Sequence, residues 1–281
     1  MALYLPLVAA AVAAVAAARS TWSPCGLSML STITPFSERG KGHSYRATAT
    51  WFVTGAMVGG ATLGLLMAGL ALAVGSLHLS EAVSGSIALM AALAAAGSDS
   101  GIAGFRLPFH RRQVNERWLD RYRPWAYGAG FGWQIGCGLA TYITTAAVYL
   151  MIVLGALTGR PVVALAVGTG FGLLRGLAVL LTRHLTDPSE LRAFHRRFFG
   201  VGPVIGRVVV GVELGSAAVI AVGLRTPWVA GVVGIGAVMT GVAVALSARP
   251  GPTAAPTCPV PPTGAPSDDT VAVSGGSRHT G

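Results

Sequence analysis

Charge is scarce in this sequence. Asp, Glu, Lys and Arg together make up 11% of its 281 residues, where a soluble domain carries roughly 25%. That shortage argues against an ordinary soluble domain. Cysteine is scarce too, with three in the chain. They are Cys25, Cys137 and Cys258, and no Cys-x-x-Cys and no zinc-type spacing occurs among them. The histidines lie mainly in polar stretches and the tail and form no ligand cluster. No metal site and no cofactor site is therefore expected. Negative charge is the scarcer sign, leaving a formal net charge of +10. In a soluble protein that balance would suggest nucleic acid. Here most of it sits in short segments between apolar runs, where it reports membrane orientation, and no nucleic-acid partner is expected.

What is present is hydrophobic length. Apolar residues make up 53% of the chain, and several runs reach the ~20 residues needed to cross ~30 Å of hydrocarbon. The expected fold is all-α: a polytopic helical membrane protein in a lipid bilayer, with about seven spans arranged as two inverted three-helix repeats plus one extra span. Residues 1–98 make the first three-span repeat, carrying Cys25. Its opening apolar run is read as the first part of span one, because Met1–Tyr4 lacks the positive charge of a signal peptide. Residues 99–125 make a cytoplasmic, basic, amphipathic segment. It holds Arg106, Arg111, Arg112, Arg117, Arg121 and Arg123, with Val114, Trp118, Tyr122 and Trp125 at helical spacing. Residues 126–223 make the second repeat, with Cys137, and residues 224–247 the extra span. Residues 248–281 are a Pro-, Gly- and Ser-rich tail with no apolar face to bury, read as disordered. Thirteen Lys and Arg fall in one alternating set of loops and two in the other. The basic set should face the cytoplasm, placing the amino terminus outside, the tail inside, and the protein in the inner (plasma) membrane.

The chemistry-bearing residues follow the same two-part plan. Pro24 precedes Cys25 and Gly26, and Pro35 lies ten residues beyond Cys25. Proline removes a backbone donor and breaks a helix, and inside a bilayer such breaks are tolerated only where protein or a water-lined cavity takes up the freed groups. Cys25-Gly26-Leu27-Ser28 is partly echoed 112 residues later by Cys137-Gly138-Leu139-Ala140, Thr32 falls on Thr144, and Gly136 and Gly138 flank Cys137. Three spans is an odd number, so the second unit is inverted. Interrupted helices at matching positions of inverted repeats point to a central site between the halves. Cys25 and Cys137 are the candidate catalytic pair there, as thiols able to exchange with a disulfide, against the reading that cysteine simply packs as a small hydrophobe. Arg175 and Glu213 are ionisable residues inside spans five and six. Such residues face the bundle interior and often pair, so a mutual ion pair is expected, with a polar pathway as the alternative.

The Ser-Pro-Cys-Gly-Leu turn in the first span, the Gly-Phe-Gly-Trp-x-x-Gly-Cys lead-in to the second cysteine and the 3+3 arrangement resemble the CcdA/DsbD-type transmembrane thiol–disulfide interchange proteins of cytochrome c biogenesis. The resemblance covers roughly residues 5–223. It implies a thiol–disulfide oxidoreductase in which Cys25 and Cys137 carry reducing equivalents from cytoplasmic thioredoxin to a thiol-redox protein outside the membrane. The family has prolines close after the first cysteine and often beside the second, where this chain has Ser28, Ser31 and the glycine pair. Two other functions stay open: a small-solute or ion exporter, with Thr32, Thr144, Arg175 and Glu213 along its path, and a non-transporting membrane scaffold.

Overall fold

The computed structural model describes residues 4–101, 123–139, 141, 143–224 and 235. The basic segment 99–125 apart from its ends, nearly all of the extra span 224–247 and the tail 248–281 lie outside the described residues. Every regular element among the described residues is helical. Among the described residues four helices are long and apolar enough to cross a membrane, or five if the bent first pair counts as one span.

The first segment breaks where its proline predicts. Helix α1 (Tyr4–Ser20) and helix α2 (Pro24–Thr32) meet at 65°. Ser23 caps α2 by accepting from the Gly26 N–H at 3.2 Å, and Pro24 occupies the first turn, where its missing N–H leaves nothing unpaired. Gly26 is required at the bend, because a Cβ there would run into the Thr21 carbonyl. Helix α3 (Pro35–Gly40) repeats the device, with Thr34 accepting from the Ser37 N–H at 3.0 Å and Pro35 following.

Helix α4 (Tyr45–Ser76) is the central member. It packs on helix α6 (Pro124–Cys137) with one face and on helix α8 (Pro161–Leu177) with another. Both contacts are made backbone to backbone. Gly55 and Gly59 meet the carbonyls of Ala129 and Trp133, and Gly132 and Gly136 meet those of Phe52 and Ala56. On the other face Gly60 and Gly64 lie against Gly168 and Gly172. Glycines four apart present a groove along one helix face, and this close approach is how helices associate where lipid supplies no hydrophobic drive. Gly64-Leu65-Leu66 and Gly172-Leu173-Leu174 echo one another in sequence, and Gly64 and Gly172 both belong to the α4–α8 seam.

Helix α5 (Glu81–Ser100) lays an alanine face, Ala88, Ala92, Ala95 and Ala96, into the core, and it packs on helix α9 (Pro188–Gly223). Helix α7 (Ala147–Leu157) packs against α1, α4 and α5. The long apolar run 126–157, read from the sequence as one over-long span carrying Cys137, is thus two helices. Helix α6 stops at Cys137, Gly138 takes a φ of +70° that disfavours any side chain, and regular structure resumes at Ala147. The basic stretch that holds Arg183, His184, Arg192, His195, Arg196 and Arg197, read from its charge as the loop between spans five and six, is largely helix. Asp187 accepts from the Ser189 N–H at 2.7 Å and Pro188 opens α9, so the basic run Arg192–Arg197 lies within its first turns. That hydrogen bond holds the Asp187 carboxyl below the ordinary carboxylate range. Clustered charge suggested a loop, while the Asp-Pro-Ser-Glu cap that starts the helix was present and overlooked.

Candidate functional site

Three polar clusters interrupt the apolar interior. The first is built on Arg175, which is 3% exposed near the carboxyl end of α8. Because α6 ends at Cys137, the Ile135 carbonyl belongs to its last turn. The Gly138 N–H donates to that oxygen at 3.2 Å, and Arg175 Nη1 donates to it at 2.6 Å. A cation at a helix carboxyl terminus meets the negative end of the dipole. Nη1 also donates to Thr141 Oγ1 at 3.3 Å, and the guanidinium carbon lies 5.5 Å from the Phe171 ring centroid, a cation–π distance. Nη2 has no hydrogen-bond partner among the described residues. Cys25, in the first turn of α2, and Cys137, the last residue of α6, both lie within electrostatic reach of this guanidinium. Both are free thiols, Cys25 buried and Cys137 half-buried. The structure thus brings Cys25, Cys137 and Arg175 together, with Pro24, Gly26, Gly136 and Gly138 shaping the helix ends around them. Thr32 stands apart, its hydroxyl donating back to the Ser28 carbonyl at 2.8 Å, and Pro35 serves α3.

The second cluster holds the other expected charge. Glu213 is fully buried on α9, with neither carboxyl oxygen hydrogen-bonded among the described residues. Its electrostatic neighbour is Asp99, near the end of α5. Among the described residues no ion pair joins Glu213 to Arg175, so the expected mutual pair is corrected. The two side chains belong to different clusters: Arg175 donates to the Ile135 carbonyl of α6, while Glu213 lies on α9, which packs on α5, the helix that carries Asp99. Asp99 went unnoticed in the sequence. Its carboxylate accepts from Thr145 Oγ1 and, at 2.7 Å, from the Ala146 N–H. It therefore caps α7, whose own cap residue Ala146 has no side-chain oxygen. Arg19 of α1 is its countercharge. Arg19, Asp99 and Thr144 line one cavity of about 220 Å³ with Ser98 and Gly206. Thr32 and Thr144, aligned in sequence, thus occupy different places.

The third cluster was also missed. Glu38 on α3 is fully buried. It accepts from Tyr127 Oη at 2.5 Å and Thr48 Oγ1 at 2.6 Å, with His43 Nδ1 at 3.9 Å. It joins α3, α4 and α6 at one point. The available signal was a lone acid inside a basic stretch, overshadowed by Arg39, Lys41 and Arg46. Among the described residues no group of three His, Cys, Asp or Glu is placed to hold a metal ion.

No family model matches the chain. No solved structure matches it either. Curated relatives do. A stretch of 177 residues is 35% identical to the methylamine utilization protein MauF of Paracoccus denitrificans, covering 57% of this chain and 58% of that protein. The Paracoccus versutus protein of the same name is 35% identical over 166 residues, with 57% and 59% covered. That of Methylophilus methylotrophus is 30% identical over 182 residues, with 64% and 63% covered. The chain spans less than two thirds of the length of each of these relatives. They overturn the resemblance to the thiol–disulfide interchange family, and with it the electron-conduit function, the oxidoreductase activity and the link to cytochrome c biogenesis. The motifs behind that resemblance were backbone devices, a proline-opened helix and a glycine-ended one. They specify where a helix stops and leave the chemistry of the neighbouring thiol unspecified. On its sequence the chain is similar instead to methylamine utilization proteins named MauF.

Proposed function

We propose that this chain is a membrane-embedded accessory protein of methylamine utilization. The observation that carries this reading is the similarity to MauF proteins from three organisms, at 30–35% identity. The apolar helices, long enough to cross a bilayer, make the membrane its place of action. The working centre is the junction of the two broken segments, with Arg175 in electrostatic reach of Cys25 and Cys137 and with Thr32, Thr144 and Glu213 outside that junction. Its architecture is two inverted three-span repeats plus one span, with the amino terminus outside and the tail in the cytoplasm of the inner membrane. Support for the repeats comes from the break in each unit's first span, where α2 opens at Pro24 beside Cys25 and α6 ends at Cys137. The test is genetic. A host deleted for this chain should lose growth on methylamine as sole nitrogen or carbon source and keep growth on ammonium and succinate. The intact gene should restore growth, and Arg175→Met should fail to do so at equal membrane abundance. Undiminished growth of the deletion strain on methylamine would sink the proposal.

A further inference from the structure

Where the first turn of α4 meets the end of α8, a groove of about 650 Å³ opens on the protein surface. It changes character along its length. At one end stand Arg46, Arg183 and His184, all exposed. Val53, Leu177 and Leu180 form the apolar stretch. Arg46 and Val53 are seven residues apart on one helix, about 10 Å along the axis. Arg183 lies three residues beyond Leu180 on a strand of chain running the opposite way, since Gly64 meets Leu165 while Gly176 meets Val53. Both walls therefore pass from cationic to apolar in the same direction. The groove is held open by fixed contacts: Tyr45 Oη donates to the Val179 carbonyl at 2.9 Å, and Thr182 Oγ1 donates to the Ile33 carbonyl at 2.9 Å. Arg183 Nε donates to His184 Nε2 at 2.8 Å, which uses one of five guanidinium donors. Among the described residues no carboxylate lines the groove.

We propose that this groove binds an anionic phospholipid, its phosphate between Arg46 and Arg183 and an acyl chain along Val53, Leu177 and Leu180. Guanidinium groups bind phosphate oxygens through paired donors, and basic pockets between spans are known to take anionic headgroups. The charge of the site selects the occupant. The chain's own segment 106–123 carries six arginines and no more than two acids, so it is repelled. A free phosphate would leave the apolar wall uncovered. A lipid satisfies both ends at once, with the charge step set along the bilayer normal.

The experiment uses the full chain in nanodiscs of equimolar phosphatidylglycerol and phosphatidylcholine, with retained lipid quantified by mass spectrometry after transfer to detergent. Phosphatidylglycerol should be enriched on the wild-type protein. Enrichment should fall about fivefold for each arginine removed in Arg46→Gln and Arg183→Gln. Leu180→Trp, which keeps the charge and fills the apolar wall, should lower it as well. Millimolar inorganic phosphate should leave the retained lipid in place. Helical circular dichroism and elution volume check that each variant is folded. Equal retention of both lipids, or enrichment unchanged in the folded Arg46→Gln/Arg183→Gln double variant, would overturn the proposal. Displacement by inorganic phosphate alone would overturn the lipid assignment in favour of a simple anion site.

Discussion

A buried charge in a membrane protein is costly unless it is answered, and Glu38, Asp99 and Arg175 are answered in three different ways, while neither Glu213 oxygen has a hydrogen-bond partner among the described residues. Glu38 is answered by hydroxyls, since Tyr127 and Thr48 both donate to one of its oxygens. Asp99 is answered by backbone, at the start of α7. Arg175 is answered at a helix end, by the Ile135 carbonyl and Thr141. A hydrogen bond to a charged group contributes about 1.5–3 kcal/mol. Arg175→Met should therefore lower stability by about that amount and loosen the Gly138–Thr141 turn. Thermal unfolding in detergent measures the first effect, and faster modification of Cys137 by a membrane-permeant maleimide measures the second. Arg175→Lys can keep the Ile135 contact with a single ammonium and should recover part of the loss. A methionine variant as stable as the wild type, with Cys137 no more reactive, would mean the guanidinium holds nothing in place.

At the scale of elements, the seams around α4 depend on glycine because no side chain fits between the backbones. A Cβ at Gly136 would meet the carbonyl of Ala56, which is main chain and cannot swing aside. Gly136→Ala should force α6 away from α4 and strongly reduce the folded protein recovered from membranes. Gly170→Ala, on α8, meets nothing within 4 Å. It should be tolerated, and its helix propensity improves by about 0.8–1 kcal/mol. Fluorescence-detected size exclusion of the two variants makes the comparison directly. Equal recovery would show that the seam yields more easily than packed backbone should. The same physics accounts for the bend at Gly26 and for the stop at Gly138, one through the Thr21 carbonyl and the other through a positive φ.

For the whole molecule, charge sets direction. The basic stretches around Arg39–Arg46 and Arg183–Arg197 come to the same end of the bundle, since Tyr45 reaches Val179 there. The turn at His78 lies at the other end of α4. Lys and Arg counts predict that the basic end faces the cytoplasm. A reporter fused after Arg112 should read cytoplasmic, and one inserted at His78 external. A reversed reading at either place would overturn the orientation.

The sequence alone was enough to place helices in a membrane and to mark where they fail. Apolar run length, Pro24 and the glycines beside Cys137 act within a turn or two of chain, so their consequences can be read locally. It also marked Arg175 and Glu213 as costly residues that needed partners. The partners themselves could not be read, because the partner of a buried charge is set by which helices touch. Asp99 caps a helix that begins 48 residues further on, and Glu38 meets a tyrosine 89 residues away; no local spacing encodes either contact. Short proline and glycine motifs around two cysteines suggested redox chemistry, although what they specify is backbone geometry. Only the packing of the helices decided that Arg175 would come within electrostatic reach of both thiols, while the packing of α9 against α5 brought Glu213 within reach of Asp99.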